Sequence, residues 1–404
     1  MCFTQAVENG VQLDANIVRR VDVILELSQV AQSVTVDASI VTLQADRVTV
    51  NTQIADKEVE DLPVTGARNF QSLLDLVPGI TPPAASHSES GNPSGALATN
   101  VNGASYSNNG TRINGAVNSY PWVPEIIAYV PPAESIQAVS VSTGNYDAEQ
   151  GFAGGSAVNV TMKSGTNAYH GSAWEYNTIS KLNARGFFYY GGNLPKFISN
   201  QFGLTLGGPI KKNKLFFFAD WERIMKRQAA SGTYSVPLPQ MRAGNFSFTT
   251  TKIYDPATGN PAGTQRSPFP GNLIPTSRLS PAAVMMTALL PLPNLGSGST
   301  SNYFGVGDYY ANKDNIDVKI NYNPNDRSML FTRYSEPPYN LFDPLQLGAG
   351  GGSGMTSIQP GNGTGTVRNA ALGGTYTFNP SLLADGQSAT QRPARHLRHN
   401  PSAA

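Results

Sequence analysis

Apolar and polar positions alternate with a two-residue period through much of the second half of the chain. In DNIDVKINY, Ile316, Val318, Ile320 and Tyr322 share one face, while Asn315, Asp317, Lys319 and Asn321 share the other. In YHGSAWEYN, Trp174 and Tyr176 separate from Glu175 and Asn177 in the same way. A period of two is that of a strand with one apolar and one polar surface. It predicts strands over 169–177, 199–208, 214–225, 313–322, 327–335 and 367–379. The joints between them alternate in length. PIKKN and NPND are tiny, whereas roughly 85 residues follow Arg227 and roughly 30 follow Pro337, against about 4–6 in a compact domain. Tight turns on one side and long polar loops on the other are the layout of an antiparallel barrel in an outer membrane. LFFF at 215–218 breaks the alternation; its place beside a turn suits an interfacial aromatic girdle or a spot packed on something inside the barrel.

The first half reads differently. Phe70, Leu73, Leu74 and Val77 in RNFQSLLDLVPG recur at helical spacing, and Pro78-Gly79 ends the run. IQAVSVST (136–143) and SAVNVTMKS (156–164) read as strands, so 54–165 forms a small α/β unit. Before it, RRVDVILELS alternates like one strand of a β-sandwich. One or two strands are not stable alone, so residues 1–36 are expected to be a sandwich remnant and 37–53 a linker. The fold class is mainly β: a small α/β domain, then the first part of a transmembrane β-barrel over 166–380.

Composition narrows the chemistry. Charged residues make up 14% of the 404 and the net charge is +1, so no electrostatic case exists for nucleic acid. One cysteine rules out a disulfide framework, and four histidines leave little for metal or acid–base work. HExxH and GxSxG are absent, so no catalytic residue, metal site or cofactor is expected and the chain reads as a non-enzyme. The longest apolar run, PAAVMMTALLPLP, is too short and proline-bracketed to span a bilayer as a helix. MCFTQAVENGVQLD lacks a basic n-region and an apolar core, so no signal peptide is read here and the N-terminus is expected to be incomplete.

Several blocks resemble one family in order and spacing. They include LPVTGARNFQSLLDLVPGI, NGTRINGAVN, ESIQAVSVSTGNYDAEQGFAGGSAVNVTMKSGTNAYHGSAWEY, NQFGLTLGGPIKKNKLFFFADWE and NLIPTSRLSP. Together they are similar to TonB-dependent outer-membrane receptors of the Oar-like branch, which carry a carboxypeptidase-regulatory-like sandwich, a plug and a barrel. The resemblance implies a Gram-negative outer-membrane location, a plug over 54–165, an unidentified extracellular ligand and a TonB-type energising partner on the periplasmic side.

It also assigns roles to residues. A TonB box would pair with an edge strand of the energising protein, and the candidate is Val34, Thr35 and Val36; the last strand of the sandwich is the competing reading, and the place of the segment between sandwich and plug favours the box. Arg68, Arg112, Asn114, Asp147 and Glu149 are polar positions in the matched plug blocks, expected to bond the plug to the barrel wall or to one another; solvated loop charge is the competing reading. Phe187, Phe188, Tyr189 and Tyr190, in RGFFYYGGN, are candidate ligand contacts of an outer loop. After Pro380 the alternation stops, and residues 381–404 are expected to be a disordered, out-of-frame tail. Six strands cannot close a barrel, and open edges are not tolerated in hydrocarbon, so the chain is expected to be inactive alone. A secreted β-sandwich adhesin or carbohydrate-binding module is the alternative; it explains the Gly/Asn-rich loops but not the plug blocks.

Overall fold

The computed structural model describes residues 5–9, 33–37, 49–62, 68–85, 92, 94–120, 123–146, 148–151, 153–187, 194–357, 360–379 and 381–398. Strands β1 (Gln5–Asn9) and β2 (Ser33–Asp37) form a separate parallel pair, Val7 opposite Thr35. The candidate box therefore lies on a paired strand, the arrangement that the sandwich reading also gives.

The α/β unit is built on a five-stranded sheet. Its strands are β3 (Val50–Ala55), β4 (Gly110–Ile113), β5 (Ala116–Val117), β6 (Ile136–Gly144) and β7 (Ala157–Met162), in the order β3-β6-β7-β4-β5. Helix α1 (Asp56–Asp61) buries Val59 against it. The run 70–76 forms a 3-10 helix, with the Asn69 side chain accepting from the Gln71 amide at its start. Phe70, Leu73, Leu74 and Val77 are all buried, and Gly79 leaves the helix at φ 85°. A single cluster of Ile54, Ile113, Ile136, Val139, Val141, Val158 and Val160 completes the core of this inner unit.

The second sheet is a meander. Its strands are β8 (His170–Ile179), β9 (Phe197–Lys211), β10 (Leu215–Tyr234), β11 (Tyr303–Asn325), β12 (Ser328–Glu336), β13 (Tyr339–Asp343), β14 (Gly361–Asn379) and β15 (Leu382–Arg398). Each pairs antiparallel with the next in space, and β12 and β13 lie end to end between β11 and β14. Pro337-Pro338 explains that division, because proline has no N–H to give the ladder.

Two expectations from sequence change here. The β10–β11 ladder runs unbroken from Leu215–Tyr322 to Tyr234–Tyr303, so the strands extend well past Arg227 and the loop shrinks to 235–302. Backbone pairing continues where residues 226–234 offer no apolar face for the alternation to reveal. Within the tail, residues 382–398 are also not disordered: β15 pairs with β14 over seventeen partners, from Leu382 to Arg398. Its backbone satisfies the β14 ladder whatever its side-chain pattern, and Pro393 is tolerated because β15 is an edge strand among the described residues.

The 235–302 loop is an ordered body. Asn272, at φ 60°, accepts from the Ile253 amide at 2.8 Å and donates to the Phe246 and Thr251 carbonyls at 2.8 and 2.9 Å. Asn272→Ala removes these three bonds to part-buried and exposed backbone groups, leaves the Ile253 amide without that partner, and is expected to cost about 1–3 kcal/mol of local stability, read as faster proteolysis within 245–275. Asp255 and Arg278 form a two-bond pair across the loop, at 3.0 and 2.5 Å. That pairing holds the Asp255 carboxyl below the ordinary carboxylate range. Its contribution is present above the unfolded carboxyl value and is lost as pH falls through the lower folded value. Loop proteolysis is therefore expected to rise only in strong acid, and Arg278→Ala to remove the step.

Candidate functional site: the polar wall and the unit seated on it

The two faces of the large sheet are inverted relative to a soluble protein. On β10, Phe216, Phe218, Asp220 and Glu222 are buried; on β11, Asn315, Asp317 and Lys319 are buried. Ile316 and Val318, on the opposite face, are each 39% exposed, and Leu372 of β14 is 61% exposed. Charged residues are almost never buried unless paired, so the buried face must find partners, and the inner unit supplies several. Tyr129 donates its hydroxyl to Asp317. Lys319 Nζ donates to the Met162 carbonyl at 2.8 Å, and Lys313 Nζ to the Ser94 carbonyl at 2.8 Å. Val367 of β14 joins the inner unit's apolar cluster. The LFFF run divides by the same rule: Phe216 and Phe218 turn inward.

Within the wall, Arg333 bonds Ser335 Oγ at 2.6 Å and Asn369 Oδ1 at 2.7 Å, and Ser335 in turn donates to Asp317. Glu222 accepts from Gln201 and from Asn315, the latter at 2.7 Å. Burial first, and then the carboxylate of Asp317, hold the Tyr129 phenol well above its ordinary range. It therefore stays protonated and serves as a donor.

Of the residues picked from sequence, Arg68 makes the fullest set of contacts. Its guanidinium lies 3.1 Å from Glu134, donates to the Glu60 carbonyl at 2.8 Å, and stacks 4.1 Å from the centre of the Tyr176 ring on β8. Burial pushes the Glu134 carboxyl up, and Arg68 opposes that shift. Asn114 and Gly115, at φ 49° and 77°, form the β4–β5 turn. The Asn114 amide donates to the Val160 carbonyl at 2.8 Å, and Gln387 of β15 donates to the Gly115 carbonyl at 3.2 Å. A side chain at Gly115 would meet Gln387 at 2.1 Å. Arg112 lines the cleft between this hairpin and β15. Glu149 is exposed, as a solvated loop charge would be, and Asp147 lies outside the described residues. Phe187 is 91% exposed, whereas Phe188, Tyr189 and Tyr190 are outside the described residues.

Sequence reasoning placed Asp317 and Lys319 on a polar face but gave no site role to Asp220, Arg333, Tyr129 or Glu134. Alternation was the available signal for the strand residues; nothing local marks Tyr129. Above the buried network, between the inner unit and the wall, is a chamber of about 200 Å³. Asn69 and Ser94 of the inner unit and Gln201, Glu222, Lys313 and Tyr339 of the wall line it.

The model of the outer membrane beta barrel domain family matches residues 161–403. The chain belongs to that family. An outer-membrane barrel accounts for the inverted faces: lipid meets the apolar exterior, and the interior is polar. The chain is 27% identical over 231 residues to the TonB-dependent transporter Oar of Myxococcus xanthus, a stretch that covers 54% of this chain and 20% of that protein. Among solved structures it is similar to the outer membrane transporter YddB from Escherichia coli, with a TM-score of 0.49 and 13% identity over 81% of this chain and 37% of that one. The siderophore receptor PirA from Acinetobacter baumannii follows at a TM-score of 0.41 and 13% identity, over 85% and 44%. The chain thus spans one fifth of the curated relative and less than half of these structures. The relatives bear the names of transporters and receptors, and the outer-membrane barrel family places the chain in the outer membrane.

Proposed function

We propose that the chain is the plug and leading barrel portion of a TonB-dependent receptor, which binds an extracellular ligand and passes it inward without converting it. The observation that supports this most is the polar wall whose buried charges are met by a separate α/β unit. A lumen-facing wall needs such an occupant, because unpaired burial of charge is costly. In this reading residues 54–165 are the plug, 166–380 with β15 the barrel wall, and 1–36 the remnant of a regulatory-like sandwich. In this reading the chamber between the inner unit and the wall, lined by Asn69, Gln201, Asn312 and Asn315 among others, is where an inward-moving ligand would meet the plug.

Val34, Thr35 and Val36 would then engage a TonB-type protein by strand addition, main chain to main chain. Titration of the chain with the carboxy-terminal domain of such a protein tests this. Thr35→Pro, which removes an amide donor and fixes φ, is expected to abolish binding, while Thr35→Ser retains it. Unchanged binding by the proline variant would exclude this segment as the box.

A further inference from the structure

Asp220 and Asp317 stand directly opposite one another in the β10–β11 register. They are 3% and 1% exposed. Asp317 accepts hydroxyl protons from Tyr129 and from Ser335. Neither oxygen of Asp220 meets a donor from any other side chain or amide among the described residues. Directly opposed residues of neighbouring antiparallel strands point to the same face, with Cβ atoms about 4.5–5.5 Å apart. Of the other charged groups on the neighbouring elements, only the Arg333 guanidinium of β12 stands beside the pair with its positive charge uncompensated. Its hydrogen bonds go to neutral oxygens, of Ser335 and Asn369, and its Nε has no partner among the described residues; it balances one of the two carboxylates and leaves the other. On β10, Glu222 is held by Gln201 and Asn315; on β11, Lys319 is held by the Met162 carbonyl. From the inner unit, Glu134 is paired with Arg68.

Two adjacent carboxylates shut away from water cannot both keep their charge without a large cost. One proton between them removes a negative charge and supplies the donor that Asp220 lacks. We propose that Asp220 and Asp317 form a buried proton-binding site: a single proton shared by the two carboxyls holds the wall in the state that receives Tyr129, and its loss in alkali unseats the inner unit. The proton belongs to the pair, which titrates as one coupled system. Binding of the proton by the folded state makes seating weaken as pH rises. The inference rests on the plug reading only for its biological meaning, since the site and its test need neither ligand nor energising partner.

The experiment uses the full chain folded in detergent micelles. Infrared spectra in heavy water report a protonated carboxyl group by its carbonyl stretch, which is separate from the carboxylate bands. Amide exchange over residues 126–130, corrected for the intrinsic effect of pH, reports the seating of Tyr129. In the wild type the carbonyl band is expected at neutral pH and should vanish in alkali in one step, with exchange rising at least tenfold over the same step. D220N, which supplies a permanent donor, should lack the band and keep exchange low through the alkaline range. The proposal is overturned if the wild type shows no such band at neutral pH, or if D220N retains the alkaline step. A midpoint that moves with added magnesium or calcium at fixed proton concentration would also overturn it, by assigning the site to a metal cation. If D220N fails to fold, the wild-type infrared titration decides alone.

Discussion

Arg68→Ala is expected to lower the unfolding free energy by about 3–5 kcal/mol, the range for leaving one member of a buried ion pair without its partner. Glu134 would remain buried without its ion-pair partner, and the stacking on Tyr176 and the bond to the Glu60 carbonyl would go as well. Burial already raises the Glu134 carboxyl while Arg68 pulls it down; without Arg68 the folded state binds that proton more tightly still. More protons bound in the folded than in the unfolded state means that stability falls as pH rises. The deficit of the variant relative to the wild type is therefore expected to be largest in alkali and to shrink in mild acid. Denaturant unfolding of the micelle-bound chain at both ends of that range measures it. Adding Glu134→Gln to the variant should restore part of the loss at alkaline pH. A deficit that does not vary with pH would mean that Arg68 acts by packing and not through its charge pair.

Val318→Arg is expected to cost about 2–4 kcal/mol, the range for a cation on the lipid face near the middle of the bilayer. Val318 lies on the face opposite Asp317 and Lys319 and is partly exposed, so in water an arginine there would be close to neutral. The effect thus distinguishes a wall in lipid from a sheet in solvent. Asp326→Arg, in the turn between β11 and β12, is the matched control and should stay within about 0.5 kcal/mol. Denaturant unfolding in lipid vesicles reads both. Equal, small effects would argue that this face is not in contact with hydrocarbon.

Legibility followed the range of the forces involved. The strand cores of β8–β12 and β14 could be read because lipid on one side and a polar lumen on the other impose a period of two, and that period is visible residue by residue. The helical run ending at Pro78-Gly79 was visible for the same local reason. The upper halves of β10 and β11 were not, because above the bilayer nothing forces the alternation while the hydrogen-bond ladder continues. Strand β15 was missed for a related reason. Its order comes from an open edge of β14, a property of the neighbour and not of its own sequence.

The amino-acid sequence by itself determined the two-faced strands, the short-and-long rhythm of the joints and the existence of a separate α/β unit, since each is written in spacing and turn chemistry. Only the tertiary structure decided which charges face which. That Tyr129 meets Asp317 across 188 positions, that Arg68 reaches both Glu134 and Tyr176, and that Asp220 lies against Asp317 all depend on strand register and on how one unit seats in another. Such pairings are fixed by the requirement that buried polar groups be satisfied over the whole assembly, a condition no local stretch of sequence can express.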